Sequence, residues 1–133
     1  MAANVEVMYL LGNNGDRIPY TVAVGGAIAK NAVCTLTTPM TVVNQTAADA
    51  PTAGIAAEEK TATDGKITIS VITNAVIKCK VKTDVTVGLM VSMDADDGTI
   101  DNATATDIEN GIYLGWALET ATGGEYAAVR MKK

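Results

Sequence analysis

Apolar and polar side chains alternate along several stretches of the chain. The alternation is regular over residues 17–24, 66–71 and 77–82, where every second residue is apolar. A period of two is the pattern of a β-strand that buries one face and exposes the other. Residues 4–11 are strand-like and mostly apolar, and residues 106–109 predict a short helical turn. The pattern therefore predicts an all-β protein.

Turn signals separate these stretches. Glycine-containing dipeptides tolerate the positive φ angles of tight hairpins. The dipeptides of this kind are Asn14-Gly15, Gly25-Gly26, Asp64-Gly65, Asp97-Gly98, Asn110-Gly111 and Gly123-Gly124. They predict strands that are joined by short turns.

The chain also repeats itself. Residues 61–66 read TATDGK and residues 120–125 read TATGGE. The segments before these turns match as well, at Gly54/Gly115, Ala56/Ala117 and Glu58/Glu119. Two copies are too few for a solenoid. The repeat predicts two similar half-units, residues 20–75 and 76–131, which together build one small barrel or sandwich.

The first residues fall outside the repeat. Residues 1–16 predict an N-terminal arm or an extra strand, and residues 17–133 predict a single β domain. As an extra strand, the segment joins the sheet of its own chain. As an arm, it adds to a neighbouring subunit by β-augmentation. Both alternatives cover an apolar strand that would otherwise invite aggregation.

The composition favours a narrow β-structure. The chain has 133 residues, the size of one domain, and 48% of them are hydrophobic. It has no Phe, one Trp and four Tyr, so its core is expected to consist of aliphatic residues, which suit thin sheets and small barrels. We expect Trp116 to pack in that core.

Most catalytic chemistry is missing from the sequence. The chain has no His, which removes the commonest general base and metal ligand, and it contains neither of the glycine-rich phosphate-binding motifs. Its two cysteines, Cys34 and Cys79, are expected to be small buried hydrophobic residues, with a disulfide as the alternative. We therefore expect no enzymatic activity and no cofactor.

An acidic run at residues 93–102 is similar to a calcium-binding loop. Its glycine comes one position too early for an EF-hand, and the twelfth position counted from Asp94 is Ala105 where a Glu is required. The run is expected to be a solvated turn, so no metal site is predicted. The repeated Glu58 and Glu119 are explained by duplication of the unit.

The net charge of the chain argues against nucleic acid as a partner. The formal net charge is −5, so the protein as a whole should be repelled by nucleic acid. Lys78, Lys80 and Lys82 form a local exception that is expected to be a solvated strand face. The sequence shows neither a signal peptide nor an apolar stretch of membrane-spanning length, so no membrane partner is expected.

The closing segment resembles a known pattern. Residues 113–131 read Y-L-G-W-A-L-E-T-A-T-G-G-E-Y-A-A-V-R-M. They resemble the G-x-A-L-x-x-A-x-x-G-E-x-x-x-V pattern of small capsid decoration, or cement, proteins of tailed phages. Segments 25–36, 49–56 and 87–92 precede it in the order found in that family. The resemblance covers about residues 20–131.

The resemblance implies a structural virion protein that binds the outer surface of a phage capsid and stabilises the expanded shell. It implies the major capsid protein as partner, a homo-oligomer with a trimer favoured on the capsid, and a location on the capsid exterior after synthesis in the host cytoplasm. Clamping by many modest contacts would act at high effective concentration. On this interpretation Val5, Val7, Tyr9 and Leu10 are candidate contacts with the shell or a neighbouring subunit.

Two other functions remain open at this stage. A carbohydrate- or receptor-binding surface module would need exposed aromatic side chains, for which Trp116 and the four tyrosines are available. A lipoyl- or biotinyl-type carrier is also built from two similar halves. It would need a lysine at a hairpin tip in a D-K or M-K-M setting, and Lys30 lies between Ala29 and Asn31 instead.

Overall fold

The computed structural model of the chain describes residues 5–22, 26–45, 51–93 and 99–133. It is an all-β structure that contains a closed barrel, the fold class that the sequence predicts, although the strands of the first half alone close this barrel and the second half forms a sheet of its own. In the described residues the elements are β1 (Val5–Leu10), β2 (Ile18–Thr21), β3 (Val33–Thr38), β4 (Thr41–Asn44), β5 (Thr52–Ala56), β6 (Thr68–Ile72), β7 (Asn74–Lys80), β8 (Asp84–Val85), β9 (Met90–Met93), β10 (Ile100–Asn102), α1 (Ala105–Glu109), β11 (Gly115–Ala117), β12 (Ala121–Thr122) and β13 (Tyr126–Lys132).

The first unit, residues 18–72, is the closed barrel. Its strands follow the order β2-β4-β3-β5-β6, and β6 pairs with β2 to close the wall. The pairs are antiparallel except β2 with β4, which run parallel at Thr21 and Thr41. The interior is filled by small and β-branched side chains with one tyrosine. These buried residues are Tyr20, Val22, Ile28, Cys34, Val42, Ala53, Ala56, Ile69 and Val71.

The second unit, residues 74–132, is a sheet with almost the same plan. Its order is β7-β13-β11-β9-β10, and β1 pairs with β7 as an added edge strand. A parallel bridge between Val81, just after β7, and Ile100 in β10 joins the two ends of that order. The short pair β8 and β12 lies beside it.

The two units share their strand order. Replacing β2, β4, β3, β5 and β6 by β7, β10, β9, β11 and β13 converts one order into the other, and the parallel contact falls at the same place in both. A matching glycine lies in the fifth and eleventh strands. A Cβ on Gly54 would overlap the carbonyl oxygen of Ile72, and a Cβ on Gly115 would overlap that of Arg130. Both units therefore need a glycine at this position, where the backbones of two neighbouring strands come close together.

A second core joins the two units. Val33, Ile55 and Ile72 belong to strands of the barrel but are buried with the inward side chains of the second unit, among them Ile77 and Val129. Their side chains thus lie on the outside of the barrel wall. The two faces of β5 are both covered, which explains why all five of its residues are buried.

The N-terminal strand belongs to the sheet of its own chain. β1 is antiparallel to β7, with Val5 opposite Cys79 and a bulge between Val7 and Tyr9. Of the two sequence-based alternatives, the structure has the extra strand. The division into domains at residue 16 stays a prediction.

A turn at Asp16 links this strand to the junction of the two units. The Asp16 carboxylate accepts hydrogen bonds from the Asn13 backbone N–H at 2.9 Å and from Asn74 Nδ2 at 2.7 Å. The Thr73 hydroxyl donates to the Asp16 carbonyl at 2.7 Å. The turn therefore ties β1 to the segment where the barrel ends and the second sheet begins.

The predicted turns and the short helix are present in the described residues. Asn14 and Gly15 both have positive φ, as do the glycines of the turns at residues 65, 111 and 124. The dipeptides at 25–26 and 97–98 include residues outside the described part of the chain. The helix α1 begins at a Thr104 capping box with Asp107. In the described ranges no helix has the length and hydrophobicity needed to cross a membrane.

Candidate interaction surface

The thiol groups lie inside the protein. Cys34 and Cys79 are free and buried, each in a different core. Burial raises the pKa of the Cys34 thiol to about 12 and raises that of Cys79 as well. Since the thiolate is the reactive form of cysteine, both side chains are inert hydrophobic groups at neutral pH. The expectation of two small buried hydrophobes is confirmed.

The described residues hold no group of three or more His, Cys, Asp or Glu side chains that could bind a metal ion. Residues 94–98 of the acidic run lie outside the described ranges. Glu119, one of the two repeated glutamates, accepts a hydrogen bond from the Ala128 backbone N–H at 2.8 Å. Glu119 follows β11, and its carboxylate pairs with a backbone N–H of β13, which is a local structural role.

A shallow cleft separates β1 from the outside of the barrel. Its volume is about 260 Å³, below the roughly 300–1,000 Å³ that is usual for small-molecule sites. The apolar lining comes from Val7, Leu10 and Ile72, among others, and Lys30 and Arg17 lie in the same lining. Its size favours a junction between packed elements over a substrate pocket.

The four contact residues suggested by the sequence divide between inside and outside. Val5 is 3% exposed and belongs to the core, and Val7 packs against that core. Tyr9 is 61% exposed and Leu10 38%. The division follows the strand period and the bulge after Val7. Val5 is therefore buried in this fold, and Tyr9 and Leu10 are the members that a partner can reach.

Tyr9 lies at one end of a row that crosses the outer face of the second sheet. Tyr9 is opposite Val76, Val76 is opposite Arg130, and Arg130 is opposite Trp116, which in turn is opposite Met90. Directly paired residues of neighbouring strands point to the same side of a sheet. We call the outward side of β1, β7, β13, β11 and β9 the outer face.

Trp116 lies on the outer face between Arg130 and Met90 and is 38% exposed. The expectation that it packs in the core is wrong. In β11 Gly115 and Ala117 are the buried residues, and the strand period of two places the Trp116 side chain on the opposite side of the strand. Leu118 follows on that side and is 49% exposed. Leu114, two positions before Trp116, is 1% exposed, so the alternation of large and small residues in L-G-W-A-L does not by itself show which side faces solvent.

The outer face is locally cationic. In its five strands the charged residues are Glu6, Lys78, Lys80, Arg130 and Lys132. Lys78 is exposed and its Nζ lies 5.5 Å from the ring centre of Tyr126, which is 43% exposed. Lys82 follows β7 and is exposed too. The lysine stripe thus lies beside exposed aromatic side chains, on a chain whose net charge is −5.

Comparisons with known proteins give a likeness of fold. No protein-family model matches the chain. No curated protein sequence matches it significantly. Among solved structures, the chain is similar to the N base of head fiber gp8.5 in bacteriophage phi29, with a TM-score of 0.54 and 13% sequence identity. The match covers 87% of this chain and 92% of that one. At this identity the likeness establishes a shared fold.

Proposed function

We propose that this protein is a structural component of a phage particle that binds the outer surface of the capsid and stabilises the expanded shell. The observation that carries the proposal is the fold shared with the N base of a phage head fiber across nearly the whole of both chains. The closing motif at residues 115–129, similar to that of capsid decoration proteins, supports it from an independent direction.

The proposed activity is binding without catalysis. A β-structure with buried thiols and exposed large side chains on one sheet face suits a protein that binds a partner over an extended surface. The proposed partner is the major capsid protein, and the proposed assembly is a homo-oligomer, with a trimer favoured on the capsid. Several copies that contact adjacent shell subunits would hold them together by multivalency.

The proposal is tested by adding the purified protein to shells of the source phage that lack it, in unexpanded and in expanded form. We expect the protein to sediment with expanded shells and, on DNA-filled particles that lack it, to raise the temperature at which a dye gains access to the packaged DNA. Absence of binding, or binding that leaves that temperature unchanged, would count against a stabilising role on the shell.

One observation favours a second function. Tyr9, Trp116 and Tyr126 are exposed on one sheet face, and exposed aromatic rings stack on sugars in many glycan-binding proteins. A carbohydrate- or receptor-binding surface module is therefore the alternative. Trp116 is the only tryptophan of the chain, so its fluorescence reports directly on such binding. A saturable change on titration with host-surface glycans would favour this alternative.

A further inference from the structure

The two units of the chain bury the same face to very different extents. The pairing register of the strands shows which residues of the two units are equivalent. In the barrel Val33 is opposite Ile55 and Ile55 is opposite Ile72. In the second unit the equivalent pairs join Met90 to Trp116 and Trp116 to Arg130.

A backbone contact extends the match. The Ala57 N–H donates to the Ser70 carbonyl at 2.9 Å, and the Leu118 N–H donates to the Ala128 carbonyl at 2.8 Å. Leu118 is therefore the equivalent of Ala57, which packs against the core between the units. The match of strand order, glycine position, side-chain register and hydrogen bond makes the two faces comparable position by position.

The barrel's copy of this face is covered inside the chain. Val33, Ile55 and Ile72 are 3%, 0% and 4% exposed because the second unit packs over them. The second unit's copy has no such cover among the described residues. Trp116 and Leu118 are 38% and 49% exposed there. The fold thus uses one copy of the face as an interface and presents the other to its surroundings.

The differences between the two copies fit a partner that is not a third unit of the same kind. Ile72 is replaced by Arg130 and Ile55 by Trp116, and Lys78 and Tyr126 lie alongside. Trp, Tyr and Arg are the residues most enriched at binding hot spots. A two-fold pairing of the face with itself would bring its cations together, so an isologous dimer at this position is disfavoured.

We propose that the outer face around Trp116, Leu118 and Arg130 is a docking surface for an acidic protein surface with an apolar centre. The inference rests on the proposed function, and in that setting the acidic surface belongs to the capsid shell. Trp116 and Leu118 fill the apolar centre, and Arg130 and Lys78 pair with carboxylates around it. Tyr9 extends the same face at its edge.

The test uses expanded shells of the source phage that lack this protein, and the full chain as wild type, Trp116→Ser, Leu118→Ser and a Lys78→Glu/Arg130→Glu double variant. We expect Trp116→Ser to bind at least about thirtyfold more weakly, as at a hot spot. The charge variant should associate more slowly and lose most of the salt dependence of binding. These positions are at least partly exposed, so thermal unfolding should show that each variant is folded.

Matched controls come from the barrel and the cleft. Leu36 is 37% exposed in β3, almost the same fraction as Trp116, and Leu36→Ser should bind like the wild type. Lys30 is exposed in the cleft lining, and Lys30→Glu controls for the reversal of one charge, half of the change in net charge of the double variant. If the control variants lost as much affinity for the shells as the outer-face variants, the assignment of the outer face as the docking surface would be overturned.

The outcomes separate this inference from the proposed function. If the wild type binds shells and Trp116→Ser binds equally well, the docking surface is wrong and the shell-binding function stands. If the wild type does not bind, both fall. If sedimentation shows wild-type oligomers that Trp116→Ser converts to monomers, the face joins copies of this chain and the docking proposal is overturned.

Discussion

In each unit one glycine, Gly54 or Gly115, lies where two neighbouring strands approach each other closely. Gly115 has no left-handed φ, so its requirement for glycine is steric, whereas Gly54 combines a close contact with a φ of +151°. Each faces a backbone carbonyl that belongs to the neighbouring strand. A methyl group can be accommodated there only if β5 and β6, or β11 and β13, separate.

Gly115→Ala is therefore expected to lower the free energy of unfolding by about 3 kcal/mol, the upper part of the usual range for overpacking. Gly54→Ala should cause a loss of similar size. The matched control is Gly65→Ala, where a Cβ meets open space and only the positive φ is unfavourable, for a loss of about 1 kcal/mol. Urea unfolding measures all three, and equal losses at Gly65 and Gly115 would contradict the steric account.

The burial of a single residue can be predicted from the sequence when the polarity of its side chain matches its environment in the fold. The cysteines are buried hydrophobic groups, as their type suggests. Lys60 is the opposite case, because lysine is rarely buried, yet it is only 1% exposed. Its Nζ donates to the Gly26 and Thr61 carbonyls at 2.7 and 3.2 Å and lies 3.7 Å from the Asp64 carboxylate. Thr61 and Asp64 are close to Lys60 in the sequence, but Gly26 lies 34 residues away and reaches it only through the fold, so the local sequence does not reveal that Lys60 is buried.

At the scale of elements, β1 provides a contrast within one strand. Val5 is buried against the sheet and Tyr9 is largely exposed. Val5→Ala should lower the free energy of unfolding by about 2 kcal/mol through lost burial and a cavity. Tyr9→Ser should change it by no more than about 0.5 kcal/mol, as at most surface sites. Equal effects in chemical denaturation would show that β1 does not dock on its own sheet as described.

The turn after β1 makes stability depend on pH. Hydrogen bonds from the Asn74 side chain and then from the Asn13 backbone hold the pKa of Asp16 below its usual value of 3.8. A carboxylate with a lowered pKa in the folded state stabilises the fold above its unfolded pKa, and this contribution is lost as the pH falls through the folded value. Asp64 and Glu125 have lowered pKa values as well, through backbone hydrogen bonds.

We therefore expect the urea midpoint of the wild type to fall as the pH drops below about 4. Asp16→Asn should show a smaller fall over the same window, because its amide does not titrate. The remaining fall belongs to Asp64, Glu125 and the other carboxylates. If the pH dependence of Asp16→Asn matched that of the wild type, the turn would not contribute as described.

Strand prediction was most successful where one face meets water. The alternating stretches identify β2, β6 and β7, and the short helix near residue 106 is also present. β5 shows no such alternation because both of its faces are covered, one by the barrel interior and the other by the second unit. A strand buried on both sides has no polar face to produce the pattern.

At the scale of the molecule, the sequence predicts two similar half-units in a small β-structure, and the structure has two units of equal strand order. The difference in their surroundings could not be predicted. Equivalent strands bury Ile55 and expose Trp116 because the second unit covers this face of the barrel, whereas no described residue covers the equivalent face of the second unit. The docking of the two units decides which of the two related faces is covered. The hydrophobic pattern within a single strand carries no information about that docking.

In the proposed function this protein lies on the outside of a phage capsid, and its copy number in the particle tests that proposal most directly. Quantitative mass spectrometry of purified particles of the source phage would compare it with the major shell protein. We expect a copy number comparable with that of the shell protein, together with removal of the chain by protease from intact particles. Only a few copies per particle, or none, would contradict a shell-covering structural role.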